Sequence, residues 1–168
     1  MTTTGQYKIG RRAALAFGLA LLMAACAKSP SELDNQLPGG AAGTAAPGSA
    51  QDFVVNVGDR VFFLVDQSTL TPEGASTLDR QAQWLALYPR YTVTVEGHAD
   101  ERGTREYNIA LGARRAKSAH DYLVSRGVNP QRLRTISYGK ERPVAICSED
   151  SCFAQNRRAV TVLNNAGS

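Results

Sequence analysis

Apolar residues recur along this chain in several rhythms, and each predicts a different kind of segment. Residues 13–22 are almost unbroken apolar behind Lys8, Arg11 and Arg12, whereas residues 27–52 hold hardly any large apolar side chain. At 57–65, VGDRVFFLV is β-branched and aromatic at its centre, the composition of a buried strand. Thr71, Pro72 and Glu73 then supply an N-cap, a first-turn proline and an early acid, so a helix starts there. Its stripe is Ala75, Leu78, Ala82 and Leu85, and Pro89 stops it. The alternation of YTVTVE at 91–96 predicts a second strand. After a polar loop, Thr104 can cap a long second helix that runs to Gly127, a suitable C′ residue. Residues 133–138 and 159–163 read as a third and a fourth strand, separated by an irregular stretch at 143–156 with a short helix near Phe153. The order β-α-β-α-β-β predicts an α/β sandwich with helices packed on one face of a small mixed sheet.

The apolar run at 13–22 is too short to span a bilayer, and its basic start and small-residue end mark residues 1–25 as an export signal. LLMAAC at 21–26 resembles the lipobox of bacterial lipoproteins, departing from it at Met23, where leucine is commoner. That resemblance implies that Cys26 is acylated and becomes the first mature residue. Residues 27–52 are rich in Pro, Gly, Ala and Ser, notably GGAAGTAAPGSA at 39–50, and cannot bury enough surface to fold. As a flexible tether they would average roughly 25 to 30 Å end to end and reach about 90 Å when stretched. The expected organisation is a signal at 1–25, lipidated Cys26 with its tether at 26–52, and one folded domain at 53–168. The formal charge of +4 suggests nucleic acid or a membrane surface, but three of the nineteen basic residues lie in the signal. The sixteen that remain face fifteen acids, so the basic-protein reading falls away. With Cys26 assigned to lipid, Cys147 and Cys152 are left as a pair in an oxidising compartment, and a disulfide is expected. Zinc would require further cysteine or histidine ligands nearby, and the chain has only His98 and His120.

Candidate chemistry gathers around the second helix. Asn108, Leu111, Gly112, Arg115, Ala116, Ala119, Tyr122 and Leu123 share one face, which puts Arg115 on the packed stripe and Arg114 about 100° away from it. A guanidinium among Leu, Gly and Ala must find an acceptor, because an unpaired buried charge is costly. That acceptor is either an internal carboxylate or a ligand carboxylate, which its planar fork binds bidentately. Asp100 follows the second strand and precedes the Thr104 cap, so it lies at the same end of the sheet as the start of that helix. The two groups could hold a zwitterion, ammonium at Asp100 and carboxylate at Arg115. A mutual salt bridge, or Asp100 accepting from nearby backbone N–H groups, are the alternatives. His98, Asp100 and Glu101 are metal-ligand types, but alternate residues of one loop rarely close a site, and His98 is expected as a hydrogen-bonding loop residue. No serine sits in a G-x-S-x-G turn, and the glycines at 97, 103 and 112 form no phosphate loop. No cofactor and no metal are expected.

VEGHADERGTREYNIALGARRA at 95–116 closely resembles the central motif of the OmpA-like peptidoglycan-binding domain family, and ISYGKERP at 136–143 and QNRRAV at 155–160 match the same family. The sequence departs from it at CSEDSC, 147–152, where many members have a cysteine-free loop. The resemblance implies a non-enzymatic protein whose domain binds the meso-diaminopimelate unit of peptidoglycan stem peptides. It implies that Asp100 faces the ammonium and Arg115 the carboxylate, with Asn108 and Leu111 walling the site and Asp66, Thr104 and Arg157 contributing. It further implies an outer-membrane lipid anchor, TolB and the Tol system as partners, and a part in envelope constriction at division. A wall-binding lipoprotein outside the Tol system, or an enzyme that cuts peptidoglycan, are the competing readings.

Overall fold

The structure is a computed structural model and describes residues 45–164. Cys26, the expected signal and the tether up to residue 44 lie outside them. Among the described residues no helix is long and apolar enough to cross a membrane.

After a one-turn helix α1 at Ala50–Asp52, helix α2, Pro72–Leu87, begins where expected, with the Thr71 hydroxyl accepting from the Gly74 N–H at 3.1 Å. Helix α3, Arg105–Ser125, is capped in the same way by Thr104, whose Oγ1 accepts from the Tyr107 N–H at 3.2 Å. It ends before Gly127, which has a φ of 93°. The strands are β1 at Arg60–Phe62, β2 at Thr92–His98, β3 at Leu133–Gly139 and β4 at Arg158–Asn164, in the sheet order β1-β4-β2-β3. β2 and β3 are parallel and connected through α3, while β4 is antiparallel to both of its neighbours. A short helix α4, Asp150–Asn156, lies inside the expected irregular stretch and includes Phe153. The sulfurs of Cys147 and Cys152 are bonded.

The core is the apolar face of this sheet packed under two helices. Val61, Val93, Val95, Leu133 and Ala159 from the strands meet Leu78, Ala82 and Leu85 from α2 and Ala116, Ala119 and Leu123 from α3, all less than a tenth exposed. Each valine or leucine among them contributes about 1.5 to 3 kcal/mol of transfer free energy when fully buried.

Three departures from the sequence reading occur at the start of the domain. The first strand, expected over 57–65, is confined to three residues. Before it, Phe53–Val57 is helical, continuing a turn at Ala50–Asp52 that Ser49 caps. Tertiary contacts dictate this: Phe53 is fully buried edge-on against Trp84, and Asp52 accepts from the Trp84 indole N–H at 2.8 Å. The fold also reaches back past residue 53, because the Gly48 carbonyl accepts from the Tyr91 hydroxyl at 2.8 Å. After Phe62 the strand is cut short because the carbonyls of Leu64 and Gln67 turn to the Arg115 guanidinium, and Asp66 adopts a φ of 56°.

α3 lies directly on β2 where Gly97 and Gly112 meet backbone to backbone, and the Ser137 hydroxyl donates to the Ile109 carbonyl at 2.7 Å. This contact holds the first turns of α3 beside the end of β2. There the pairing with β3 slips, so that His98 faces Gly139, and the chain enters the loop that carries Asp100.

Candidate functional site

The loop at 99–103 is tied down along its backbone. The Ala99 N–H donates to the Gly139 carbonyl at 2.8 Å, and Asn108 Nδ2 donates to the Arg102 carbonyl at 2.8 Å. Lys140 Nζ donates to the carbonyls of Glu101 at 3.1 Å and Gly103 at 2.7 Å. Asp100 is thereby fixed 8% exposed at the mouth of a cleft of about 290 Å³. Val65, Asp66, Tyr107, Asn108, Leu111 and Arg115 form most of the remaining wall.

Arg115 is fully buried, and its donors go to three backbone carbonyls: Nε to Gln67 at 2.8 Å, Nη1 to His98 at 2.8 Å and Nη2 to Leu64 at 3.1 Å. Among the described residues no carboxylate forms an ion pair with it. A guanidinium has five N–H donors, so two remain for a ligand in the cleft that Arg115 lines. Burial pushes its pKa down to about 10, against the pull of Asp100, and it stays cationic at neutral pH.

The mutual salt bridge between Asp100 and Arg115 is not formed. The Asp100 carboxylate is held instead by Arg102, with Nη2 to Oδ2 at 2.5 Å and Nε to Oδ1 at 3.3 Å, and by Arg157 Nη1 at 3.3 Å. Its alternative of accepting from local backbone is realised in part, since the Arg102 N–H reaches Oδ1 at 3.2 Å. Burial acts to raise the carboxyl pKa, but the hydrogen bonds from Arg102 and Arg157 outweigh it and hold the group below the usual range.

Of the other expected residues, Asp66, Asn108 and Leu111 line the cleft with Asp100 and Arg115. Asp66 accepts a short hydrogen bond from the Tyr107 hydroxyl. Thr104 does not reach the cleft wall; it is exposed and serves as the α3 cap. Arg157 stands behind Asp100, buried, donating also to the Phe63 carbonyl at 3.2 Å. Arg102 and Tyr107 were missed. Tyr107 was legible, because with Leu111 and Arg115 it continues an i, i+4, i+8 row along α3.

His98 differs from expectation. It ends β2 with 2% exposure, stacks on Tyr138 with ring centroids 5.6 Å apart, and among the described residues neither ring nitrogen has a hydrogen-bond partner. Glu96 Oε2 is 3.6 Å from Nε2. Burial, followed by the charges of Arg158 and Arg142, pushes the ring pKa down to about 4 from 6.5. Between these values the unfolded chain binds a proton that the folded domain refuses. The domain therefore loses stability as pH falls from 6.5 towards 4, by up to about 3 kcal/mol. Urea unfolding at pH 7 and at pH 4.5 is expected to show a larger drop for the parent than for His98→Gln. Equal drops would mean that the buried ring plays no part in the acid response.

Among known proteins, the sequence profile of the OmpA family matches residues 62–157. The peptidoglycan-associated lipoprotein of Rhizobium meliloti (strain 1021) is 62% identical over 156 residues, covering 92% of this chain and 88% of the relative. The crystal structure of the peptidoglycan-associated lipoprotein from Burkholderia pseudomallei superposes with a TM-score of 0.62 at 37% identity, over 63% of this chain and 90% of that one. The C-terminal domain of Helicobacter pylori MotB shares the fold at a TM-score of 0.60 and 24% identity, covering 64% and 84% of the two chains.

Proposed function

The chain belongs to the OmpA family and, within it, to the peptidoglycan-associated lipoproteins, and on that premise we propose that its cleft binds the meso-diaminopimelate unit of peptidoglycan stem peptides. The role is binding, not catalysis. The observation that carries the reading is the pairing of opposite charges in one cleft: a buried Arg115 with no carboxylate partner among the described residues, and Asp100 at the mouth. The ligand carboxylate meets the Arg115 fork and the ligand ammonium meets Asp100, each a charge-assisted contact. Asn108 and Leu111 wall the side-chain methylenes, Asp66 lines the cleft with them, and Arg157 holds Asp100 in place. Thr104 contributes by starting α3 beside the cleft.

In the same reading Cys26 carries the lipid that anchors the protein in the outer membrane, and the tether lets the domain search for the wall below it. TolB and the Tol system are the partners, TolB competing with peptidoglycan for the domain, and the linkage supports envelope constriction at division. Recovery of TolB by the tagged protein separates this role from that of a wall-binding lipoprotein outside the Tol system.

The test of the site is titration of the full chain in detergent with a diaminopimelate stem peptide, alongside sacculus pull-down. Asp100→Asn keeps the shape and removes the charge, and is expected to weaken binding about 10- to 100-fold, the value of one charge-assisted contact. Arg114→Ala, whose side chain points away from the cleft face, is expected to bind as the parent does. If folded Asp100→Asn matches the parent, the proposed site is wrong.

A further inference from the structure

All four acceptor positions of the Asp100 carboxylate are occupied. Oδ1 takes the backbone N–H and the Nε of Arg102, while Oδ2 takes Arg102 Nη2 and Arg157 Nη1. A carboxylate accepts about four hydrogen bonds, so a ligand ammonium cannot bind there without displacing a donor. Two of these positions have little freedom. Arg157 is buried and held by the Phe63 carbonyl and by Asp150. The Arg102 backbone cannot withdraw, because Asn108 holds its carbonyl and Lys140 holds the carbonyls on either side.

The Arg102 side chain is different. It is 46% exposed, and among the described residues its guanidinium hydrogen-bonds to nothing except Asp100. On the cleft wall it lies over the Phe153 ring of α4, 4.7 Å from its centroid, an apolar face that a displaced guanidinium can keep without Asp100. The moving part is one side chain on a fixed loop.

We propose that Arg102 is a built-in surrogate for the ligand's ammonium: it neutralises Asp100 in the free protein and gives way when a ligand supplies an ammonium together with a carboxylate for Arg115. This rests on the reading of the cleft as a diaminopimelate site. The cleft never presents a bare buried carboxylate, which would be costly. A simple amine displaces Arg102 without the compensating bond to Arg115, so the contest selects for the zwitterion. The ligand's observed affinity is correspondingly lower than its contacts alone would give.

The experiment titrates the full chain in detergent with the diaminopimelate stem peptide and with the same peptide acetylated on the side-chain amine. Arg102→Gln removes the competing charge and leaves the pinned backbone in place. Its affinity for the free-amine peptide is expected to rise about two- to fivefold, the worth of a partly exposed ion pair. The acetylated peptide is expected to bind parent and variant alike. In the parent, the Arg102 Nε–H resonance is expected to shift as the free-amine peptide saturates the site. A parent that binds the peptide, with Arg102→Gln binding equally or more weakly, overturns the surrogate role and makes Arg102 a bystander or a ligand contact. A parent that does not bind at all overturns the diaminopimelate reading, and the surrogate with it.

Discussion

Replacing Arg115 with alanine is expected to destabilise the domain by about 3 kcal/mol or more, before any ligand is involved. The guanidinium gathers three carbonyls from two places: Leu64 and Gln67 in the segment after β1, and His98 at the end of β2. Truncation leaves these acceptors without their donor at a cost of roughly 1 to 3 kcal/mol for each one that water does not reach, and it removes the largest fully buried side chain. Relief of the cation's desolvation offsets part of this. Arg115→Lys keeps the charge but cannot reach three carbonyls at once, and is expected to lose about half as much. Urea unfolding with an unchanged m-value measures both. A loss under about 1 kcal/mol for the alanine variant would mean that the guanidinium is held for a ligand alone. The expected loss is also why Asp100→Asn, and not Arg115→Ala, is the decisive binding variant.

Gly97→Ala is expected to have an effect of similar size through sterics. A Cβ at Gly97 would stand 1.8 Å from the Gly112 carbonyl oxygen and 2.6 Å from its carbon. Both are backbone atoms of α3, so no side chain can rotate aside and the whole helix must lift from β2. Overpacking against an unyielding neighbour costs at least about 3 kcal/mol here, at the upper end of such substitutions. Because Asn108, Leu111 and Arg115 ride on α3, any folded variant is expected to lose the cleft as well, visible as lost peptide binding at temperatures where circular dichroism is intact. Gly127→Ala is the control. Its φ is 93°, yet nothing lies within 4 Å of the added carbon, so the cost is the left-handed backbone alone, about 1 to 2 kcal/mol. If Gly97→Ala is no worse than Gly127→Ala, the glycine contact does not position α3.

The parts of this protein that its sequence determined are those built from near neighbours. Thr71 and Thr104 cap helices because a hydroxyl reaches an N–H three residues on, and Gly127 ends one because its own backbone permits it. Alternation placed β2, and the residue pattern placed β3 and β4, to within about two residues. The same local logic brought Asp100 and Arg115 to one end of the sheet, since strand, short loop and helix leave little choice of geometry. A short spacing sufficed to pair Cys147 with Cys152.

What the tertiary structure decided was the competition among distant groups for the same partner. The apolar run at 57–65 has every local mark of a strand, but Arg115, some fifty residues away, takes the carbonyls that would have extended it. Phe53–Val57 coils because Trp84 offers Phe53 a buried face. Asp100 has Arg102, Arg115 and Arg157 within its neighbourhood. Which of them it binds depends on where backbone acceptors leave a guanidinium satisfied, and no spacing encodes that. Arg115 is satisfied by carbonyls, so Asp100 falls to Arg102 and Arg157. Helix caps and alternation act over one turn or two residues and can be read along the chain, whereas burial and charge pairing are settled only after the chain has folded back on itself.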